Sequence, residues 1–227
     1  MAEEFVIRPI AHIVSDFDEK FGIPRQSGLV GELEALVVFE PEYRIEAALR
    51  GLEGFSHIWL IWQFSRAVRG DWSPTVRPPR LGGNTRMGVF ATRSPFRPNP
   101  LGLSCVGLRS IENDRELGPV LRVTGADLLS GTPIYDIKPY LPYADCRPDA
   151  CGGFASGADS TVSVRWSEGT RAAAGDRADA LEGVLAQDPR PSYQNDPQRV
   201  YGMRFASMEI KFIVDGDILT VVSVQKT

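Results

Sequence analysis

The amino-acid sequence predicts a mainly β protein, a barrel or a sandwich, with a small α+β unit behind it. Three observations predict it. Up to Asp145 the chain is a series of short β-branched and aromatic runs separated by Gly, Pro and Asp turns, with almost no helical period. A small, polar, glycine-rich stretch, CRPDACGGFASGADS (Cys146 to Ser160), then interrupts the pattern. Beyond it, one amphipathic helix and a strong hairpin signal occur within 67 residues. The expected division is therefore 1–145, a linker over 146–160, and 161–227.

Phe5 to Val14 reads as the first strand, with Pro9 marking an edge or bulge. Ser15 to Leu29 is polar, carries Gly22, Pro24 and Gly28, and reads as an ordered loop. Leu33 to Phe39 is the second strand. Ile45 to Leu52 is a short helix, with Ile45, Ala48, Leu49 and Leu52 on one face. His57 to Phe64 (HIWLIWQF) is apolar on both faces and reads as a doubly buried central strand. His57, at its start, reads as a hydrogen-bonded structural residue. Arg66 to Thr85 is a long loop stiffened by Pro74, Pro78 and Pro79, the kind of loop that carries function.

The stretch RMGVFATRSPFRPNPLGL (Arg86 to Leu103) organises the chain. It begins as a strand, Met87 to Thr92. Pro95, Pro98 and Pro100 then exclude regular structure and leave a rigid exposed loop carrying Arg93, Arg97 and Asn99. Stiff loops with guanidinium groups suit an anionic or planar polar ligand. Leu103 to Ile111 and Val120 to Leu128 follow as strands around a polar turn. In Asp127 to Asp145, Ser130-Gly131 is a turn, Thr132 to Ile137 is extended, and Pro139 and Pro142 oppose a helix. In the last segment Thr161 to Trp166 is a strand and Asp176 to Gln187 a helix. Strands at Gln198 to Phe205, Met208 to Val214 and Ile218 to Val224 complete it, the last two joined at Asp215-Gly216-Asp217.

Composition narrows the function. The net charge is −4, yet only four of the 25 basic residues are lysine. Seven arginines (Arg66, Arg69, Arg77, Arg80, Arg86, Arg93, Arg97) stand against one acid, Asp71, between Arg66 and Arg97. Arginine's planar fork suits phosphates and stacked bases, so this local field is a footprint for RNA or a phosphorylated ligand. Cys105, Cys146 and Cys151 form neither a disulfide framework nor a zinc pattern. With only His12 and His57 present, a histidine metal site or a Ser-His-Asp triad has little to draw on, and no metal is expected. No Gly-x-Gly-x-x-Gly or P-loop occurs. The acidic start and the lack of a long apolar run predict a soluble, cytoplasmic chain without a membrane partner. Three polar clusters, Pro24 to Gly28, Arg93 to Leu103 and Asp127 to Pro133, lie at strand ends, where they can meet and build one pocket. Gln26, Arg93 and Asp127 are its polar anchors.

PRQSGLV (Pro24 to Val30), GLEGFSHIWLIW (Gly51 to Trp62), PRLGGNTRMGVFATRSPFRPNPLGLS (Pro79 to Ser104), DLLSGTPIYDIKPYLPYAD (Asp127 to Asp145) and DPRPSY (Asp188 to Tyr193) resemble the TrmO (TsaA-like) family of tRNA methyltransferases. The resemblance implies an antiparallel β-barrel that binds S-adenosylmethionine, and a small C-terminal α+β domain. It implies methylation of N6 of the threonylcarbamoyladenosine beside the anticodon, and a homodimer with the partner subunit near each cofactor site. Carried over, the cofactor residues are Gln26, Ser27, Gly28, Ser65, Arg66, Arg93, Leu103, Gly131, Thr132, Pro133 and Ile134. Arg66, Arg69, Arg77, Arg80, Arg86, Arg97, Arg190 and Tyr193 are then candidates for holding the tRNA anticodon loop, whose bases can stack on guanidinium or aromatic planes. Methyl transfer from a sulfonium needs positioning more than it needs a metal. A base near the acceptor nitrogen would help, and Asp127, Tyr135 and Asp136 are the candidates by location.

Overall fold

A computed structural model describes residues 5–67, 71–157, 161–191, 194 and 196–227. The strands are β1 (Ala11–Val14), β2 (Glu34–Phe39), β3 (His57–Gln63), β4 (Thr75–Val76), β5 (Met87–Gly88), β6 (Leu101–Asp114), β7 (Gly118–Thr124) and β8 (Pro133–Pro139). A single helical turn, α1 (Pro142–Asp145), follows β8. Then come β9 (Ser163–Trp166), α2 (Thr170–Ala174), α3 (Ala178–Ala186), β10 (Tyr201–Phe205), β11 (Met208–Asp215) and β12 (Ile218–Lys226).

Six strands pair antiparallel in the order β1-β2-β7-β6-β3-β8, and β8 pairs back onto β1, so the sheet closes into a barrel. Side chains alternate across each strand, so one set fills the interior: Ile13, Val37, Ile58, Leu60, Val106, Leu121, Val123 and Ile134 are essentially inaccessible. β10, β11, β12 and β9 form a second sheet, with β9 parallel to β12. The β11–β12 turn is Gly216-Asp217, and Gly216 has φ +56°, the left-handed value a tight hairpin needs. α3 buries Ala180, Leu181, Val184 and Leu185 in the core of this unit.

The segment between β1 and β2 joins the two cores. It is polar overall, but its few apolar side chains, Phe17, Val30 and Leu33, are buried with the second sheet and α3. Phe17 meets Phe205 edge-on, with ring centroids 5.4 Å apart. The Ala206 N–H donates to the Asp16 carbonyl (2.9 Å) and the Arg204 N–H to Glu19 Oε1 (3.0 Å). Burial raises the Asp16 carboxyl above its ordinary pKa, and Arg177, 3.5 Å away, opposes that rise.

Several expectations are corrected. β1 begins only at Ala11. Ile45 to Leu52 is not an α-helix but two short 3₁₀ turns, Glu46–Leu49 and Leu52–Gly54, split by Gly51 at φ +90°. β3 is central but not doubly buried: Ile58, Leu60 and Trp62 face the core, while Trp59, Ile61 and Gln63 are half-exposed. The run Met87 to Thr92 is strand only over β5. Val89 is buried and its N–H bonds the Pro74 carbonyl (3.0 Å), which turns the chain into a 3₁₀ turn over Val89–Ala91. β6 runs on to Asp114, so the β6–β7 turn is shorter than expected. Pro142 does not prevent a helical turn, because it stands at the first position of α1, where no N–H is needed. α2 was not expected at all. Cys105 is half-buried, Cys146 and Cys151 are exposed, and all three are free.

Candidate functional site

Three stretches meet at a cavity of about 610 Å³, a size that fits a cofactor or substrate moiety. Pro24, Arg25 and Gln26 come from the β1–β2 segment. Arg93, Pro95, Arg97 and Asn99 come from the proline-rich loop. Asp127, Leu129 and Thr132 come from the segment before β8. The ends of β3 and β6 supply the floor: Trp62, Gln63, Leu101, Gly102 and Leu103, with Phe64, Ser65 and Arg66 just beyond β3.

The proline-rich loop is held by its own short hydrogen bonds. The Thr92 hydroxyl donates to the Val89 carbonyl (2.8 Å) and accepts from the Ser94 N–H (3.2 Å). Arg97 Nη1 donates to the Thr92 carbonyl (3.0 Å), which folds that guanidinium back onto the loop. Ser and Thr hydroxyls favour such local bonds, and the prolines remove competing conformations. Arg93 is left to reach across the cavity, where its Nη1 donates to Gln26 Oε1.

A buried polar chain runs beneath the cavity. Trp62 Nε1 donates to Ser104 Oγ (2.9 Å), and Ser104 Oγ donates to Asp127 Oδ1 (2.6 Å). Ser104 is fully buried. Burial pushes the Asp127 carboxyl above its ordinary pKa, while Ser104, the backbone N–H groups of Asp127 and Ser27, and the Arg93 charge pull it back. Gly102 makes this arrangement possible: a Cβ there would lie 2.3 Å from Cε2 of Trp62. Trp62 also meets Phe64 edge-on at 4.3 Å between centroids. Below the rim, Tyr135 Oη donates to Gln63 Oε1 (2.6 Å).

Of the expected cofactor residues, Gln26, Ser65, Arg66, Arg93, Leu103 and Thr132 line the cavity. The other five are not among its lining residues. The Ser27 hydroxyl accepts the Cys105 N–H (3.1 Å), the Gly28 N–H donates to the Gly125 carbonyl (2.8 Å), and the Gly131 N–H donates to the Ile13 carbonyl (2.7 Å). Pro133 pairs with His12 at the β1–β8 closure, and the Ile134 side chain is buried inside the barrel. Among the base candidates only Asp127 faces the cavity. Asp136 bonds Lys138 (3.0 Å) and the Ile137 N–H (2.9 Å), a surface ion pair rather than a site.

The basic residues divide. Arg66 and Arg97 line the cavity. Arg77, Arg80 and Arg86 line an adjoining groove of about 1810 Å³, which shares Arg25, Gln26, Arg93 and Pro95 with it. For Arg190, Asp188 takes its Nε and Nη2 in two 2.8 Å bonds, and its side chain is only 11% exposed. Arg69 and Tyr193 lie outside the described residues. His57 receives no base role: its Nδ1 is bonded to the Ser56 hydroxyl (2.9 Å) at the far end of β3.

Sequence reasoning passed over Trp62, Gln63 and Phe64 as cavity residues, and Ser104 as the link to Asp127. A glycine inside a strand pattern, as at Gly102, is the one local sign that something large approaches the backbone there.

A family model described as the tRNA-methyltransferase O N-terminal domain matches residues 12–146, and one described as the TrmO C-terminal domain matches residues 159–227. The chain is 44% identical over 206 residues to the tRNA (adenine(37)-N6)-methyltransferase of Escherichia coli K12, with 84% of each chain covered. An Eikenella corrodens protein of the same name is 52% identical over 163 residues, 71% of this chain and 92% of that one. A Pseudomonas aeruginosa protein named a putative S-adenosylmethionine-dependent methyltransferase RcsF is 44% identical over 213 residues, 90% of each. The crystal structure of TrmO from Pseudomonas aeruginosa matches with a TM-score of 0.81 at 36% identity, covering 98% of this chain and 99% of that one. Matched along both its units, the chain belongs to the tRNA-methyltransferase O family.

Proposed function

We propose that this chain transfers a methyl group from S-adenosylmethionine to N6 of the threonylcarbamoyladenosine beside the anticodon of tRNA. The observation that carries the reading is the meeting of three sequence-distant loops at one cavity, with Arg93 and the half-buried Asp127 among its walls. Relatives 44% and 52% identical carry the name tRNA (adenine(37)-N6)-methyltransferase, which supports the adenine N6 and the tRNA.

The cavity fits the cofactor. Its volume suits a nucleoside carrying an amino-acid chain, with Arg93 for a carboxylate and Trp62 and Phe64 as apolar flanks. When bound, S-adenosylmethionine supplies an activated methyl group on a sulfonium. The protein's task is then largely positioning. Gln26, held by Arg93, and Thr132, whose hydroxyl donates to the Leu129 carbonyl (2.6 Å), are fixed before any ligand arrives. Ser65, Arg66 and Leu103 complete the direct contacts. Ser27, Gly28, Gly131, Pro133 and Ile134 act through the backbone frame.

Asp127 is the candidate proton acceptor. It faces the cavity, and a raised proton affinity makes a carboxylate a better base at neutral pH. Tyr135 acts one step back by fixing Gln63. Arg66, Arg77, Arg80, Arg86 and Arg97 lie along the cavity and groove where an RNA strand would run. We further propose that residues 1–145 and 161–227 are the two domains, with 146–160 between them, and that the enzyme works as a cytoplasmic homodimer. A partner subunit beside each cavity accounts for Leu103, which is 53% exposed on the cavity wall.

The test is nucleoside mass spectrometry of tRNA from cells with and without the gene. Loss of N6-methylated threonylcarbamoyladenosine, restored by the purified chain with S-adenosylmethionine, supports the reading. An unchanged nucleoside profile overturns it.

A further inference from the structure

Among the described residues, Trp72 and Phe90 are large aromatic side chains left open, 50% and 73% exposed. They are not adjacent in sequence, yet their rings stack at 24° with centroids 6.3 Å apart. The pair is built in. β4 and β5 pair Thr75 with Gly88 and Val76 with Met87, so the short ladder holds the two aromatic-bearing segments side by side. The Val89 N–H bonds the Pro74 carbonyl (3.0 Å), the Ser73 hydroxyl donates to the Thr75 carbonyl (2.6 Å), and the Ser73 N–H reaches the Phe96 carbonyl (3.3 Å). Little conformational freedom remains for a ligand to remove.

The surroundings say what the rings would meet. Phe90 lines the groove that continues from the cavity, and the described residues of that groove include five arginines (Arg25, Arg77, Arg80, Arg86, Arg93) against one acid, Asp71. Arg86 Nη1 donates to the Thr75 hydroxyl (3.0 Å), within the same ladder that carries the rings. An exposed aromatic face beside a cationic track is the arrangement that binds single-stranded nucleic acid: cations follow the phosphates and rings take the bases. A second protein surface would meet five guanidinium groups here with one carboxylate among them.

We propose that the Trp72–Phe90 pair is a stacking platform for an unpaired nucleobase of the RNA substrate, placed beside the cavity that receives the reacting base. This rests on the tRNA reading above. One stacked base is worth about 5- to 150-fold in affinity.

The experiment compares wild type with Phe90→Ala, Phe90→Leu and Phe90→Tyr. It measures affinity for an unpaired anticodon-loop RNA and for S-adenosylmethionine, Trp fluorescence on adding RNA, methyl transfer to tRNA, and sedimentation at the same concentrations. A platform predicts at least fivefold weaker RNA binding for both Ala and Leu and near-complete recovery with Tyr. Cofactor affinity and sedimentation stay as in wild type, and RNA quenches Trp fluorescence less in Phe90→Ala. If Leu matches wild type, apolar area matters rather than stacking, and the platform is wrong. If Phe90→Ala changes the sedimenting mass, a second copy of the chain occupies the face, and the proposal falls. A wild type that methylates tRNA alongside four indistinguishable RNA affinities overturns the platform alone. A wild type that neither binds nor methylates tRNA overturns the functional reading as well.

Discussion

Replacing Ser104 by alanine removes one oxygen from a fully buried position and breaks two hydrogen bonds at once. The Trp62 Nε1–H loses its acceptor, and a buried unsatisfied donor costs about 1–3 kcal/mol. Asp127 loses the hydroxyl donor at 2.6 Å, and a hydrogen bond to a charged group is worth about 1.5–3 kcal/mol. The two bonds share one atom, so their costs overlap, and we expect about 3 kcal/mol at neutral pH. For a chain of 227 residues that lowers Tm by about 6–12 °C. The loss depends on pH. Asp127 has a raised pKa in the folded protein, so its burial favours folding at low pH and opposes it once pH rises through that pKa. The Ser104 hydroxyl offsets part of that opposition, and its removal raises the folded-state pKa further. The deficit of Ser104→Ala is therefore full above the pKa of Asp127 and shrinks as pH falls through it. Thermal unfolding of both proteins across pH 7.5 to pH 4.5, with S-adenosylmethionine titrated calorimetrically at pH 7.5, tests this. A deficit below about 1 kcal/mol, or one that does not change with pH, would refute the chain from Trp62 to Asp127.

Gly102→Ala puts a methyl group into the Trp62 ring and should cost about 1–3 kcal/mol, with altered near-ultraviolet dichroism from the displaced indole; an unperturbed spectrum would contradict the close approach. Gly183→Ala lies in α3, where alanine by itself would gain about 1 kcal/mol of helix propensity. Its Cβ would sit 2.6 Å from Cγ1 of Val30, so denaturation should show net destabilisation and faster hydrogen exchange over residues 15–33. Arg93→Ala should weaken S-adenosylmethionine binding about tenfold or more, since charge-assisted bonds are the strong ones; equal calorimetric affinity would remove Arg93 from the site. Neutralising Arg77 and Arg80 together should weaken tRNA binding and lower its salt slope by about one to two phosphate contacts; an unchanged slope would place the RNA track elsewhere.

The strands were legible because their alternation survives in the sequence: the core positions of β2, β7, β10 and β11 are the apolar ones in each run. The three loops of the site were legible because prolines and glycines mark where strands end. What the sequence concealed is long-range. Ser15 to Leu29 reads as an ordered loop because it is polar and has no helical period, and nothing in that pattern shows that Phe17, and Val30 just after it, sit in the core of the second unit. Ser104 looks like any strand serine; its role exists because Trp62 and Asp127 arrive from positions 42 and 23 residues away. Trp72 and Phe90 are a pair only through the β4–β5 ladder, two residue pairs long and too short to show a period. Ile45 to Leu52 has a helical spacing of apolar residues, but Gly51 breaks it, and propensity gives way to the turn.

The measurement that tests the central claim most directly is transfer of a labelled methyl group from S-adenosylmethionine by the purified chain to two tRNA preparations. One carries threonylcarbamoyladenosine beside the anticodon and the other carries plain adenosine there. The account predicts label on N6 of the modified adenosine, little on the unmodified tRNA, and loss of label with Asp127→Asn. Equal labelling of both tRNAs, or none of either while the cofactor binds, would contradict it.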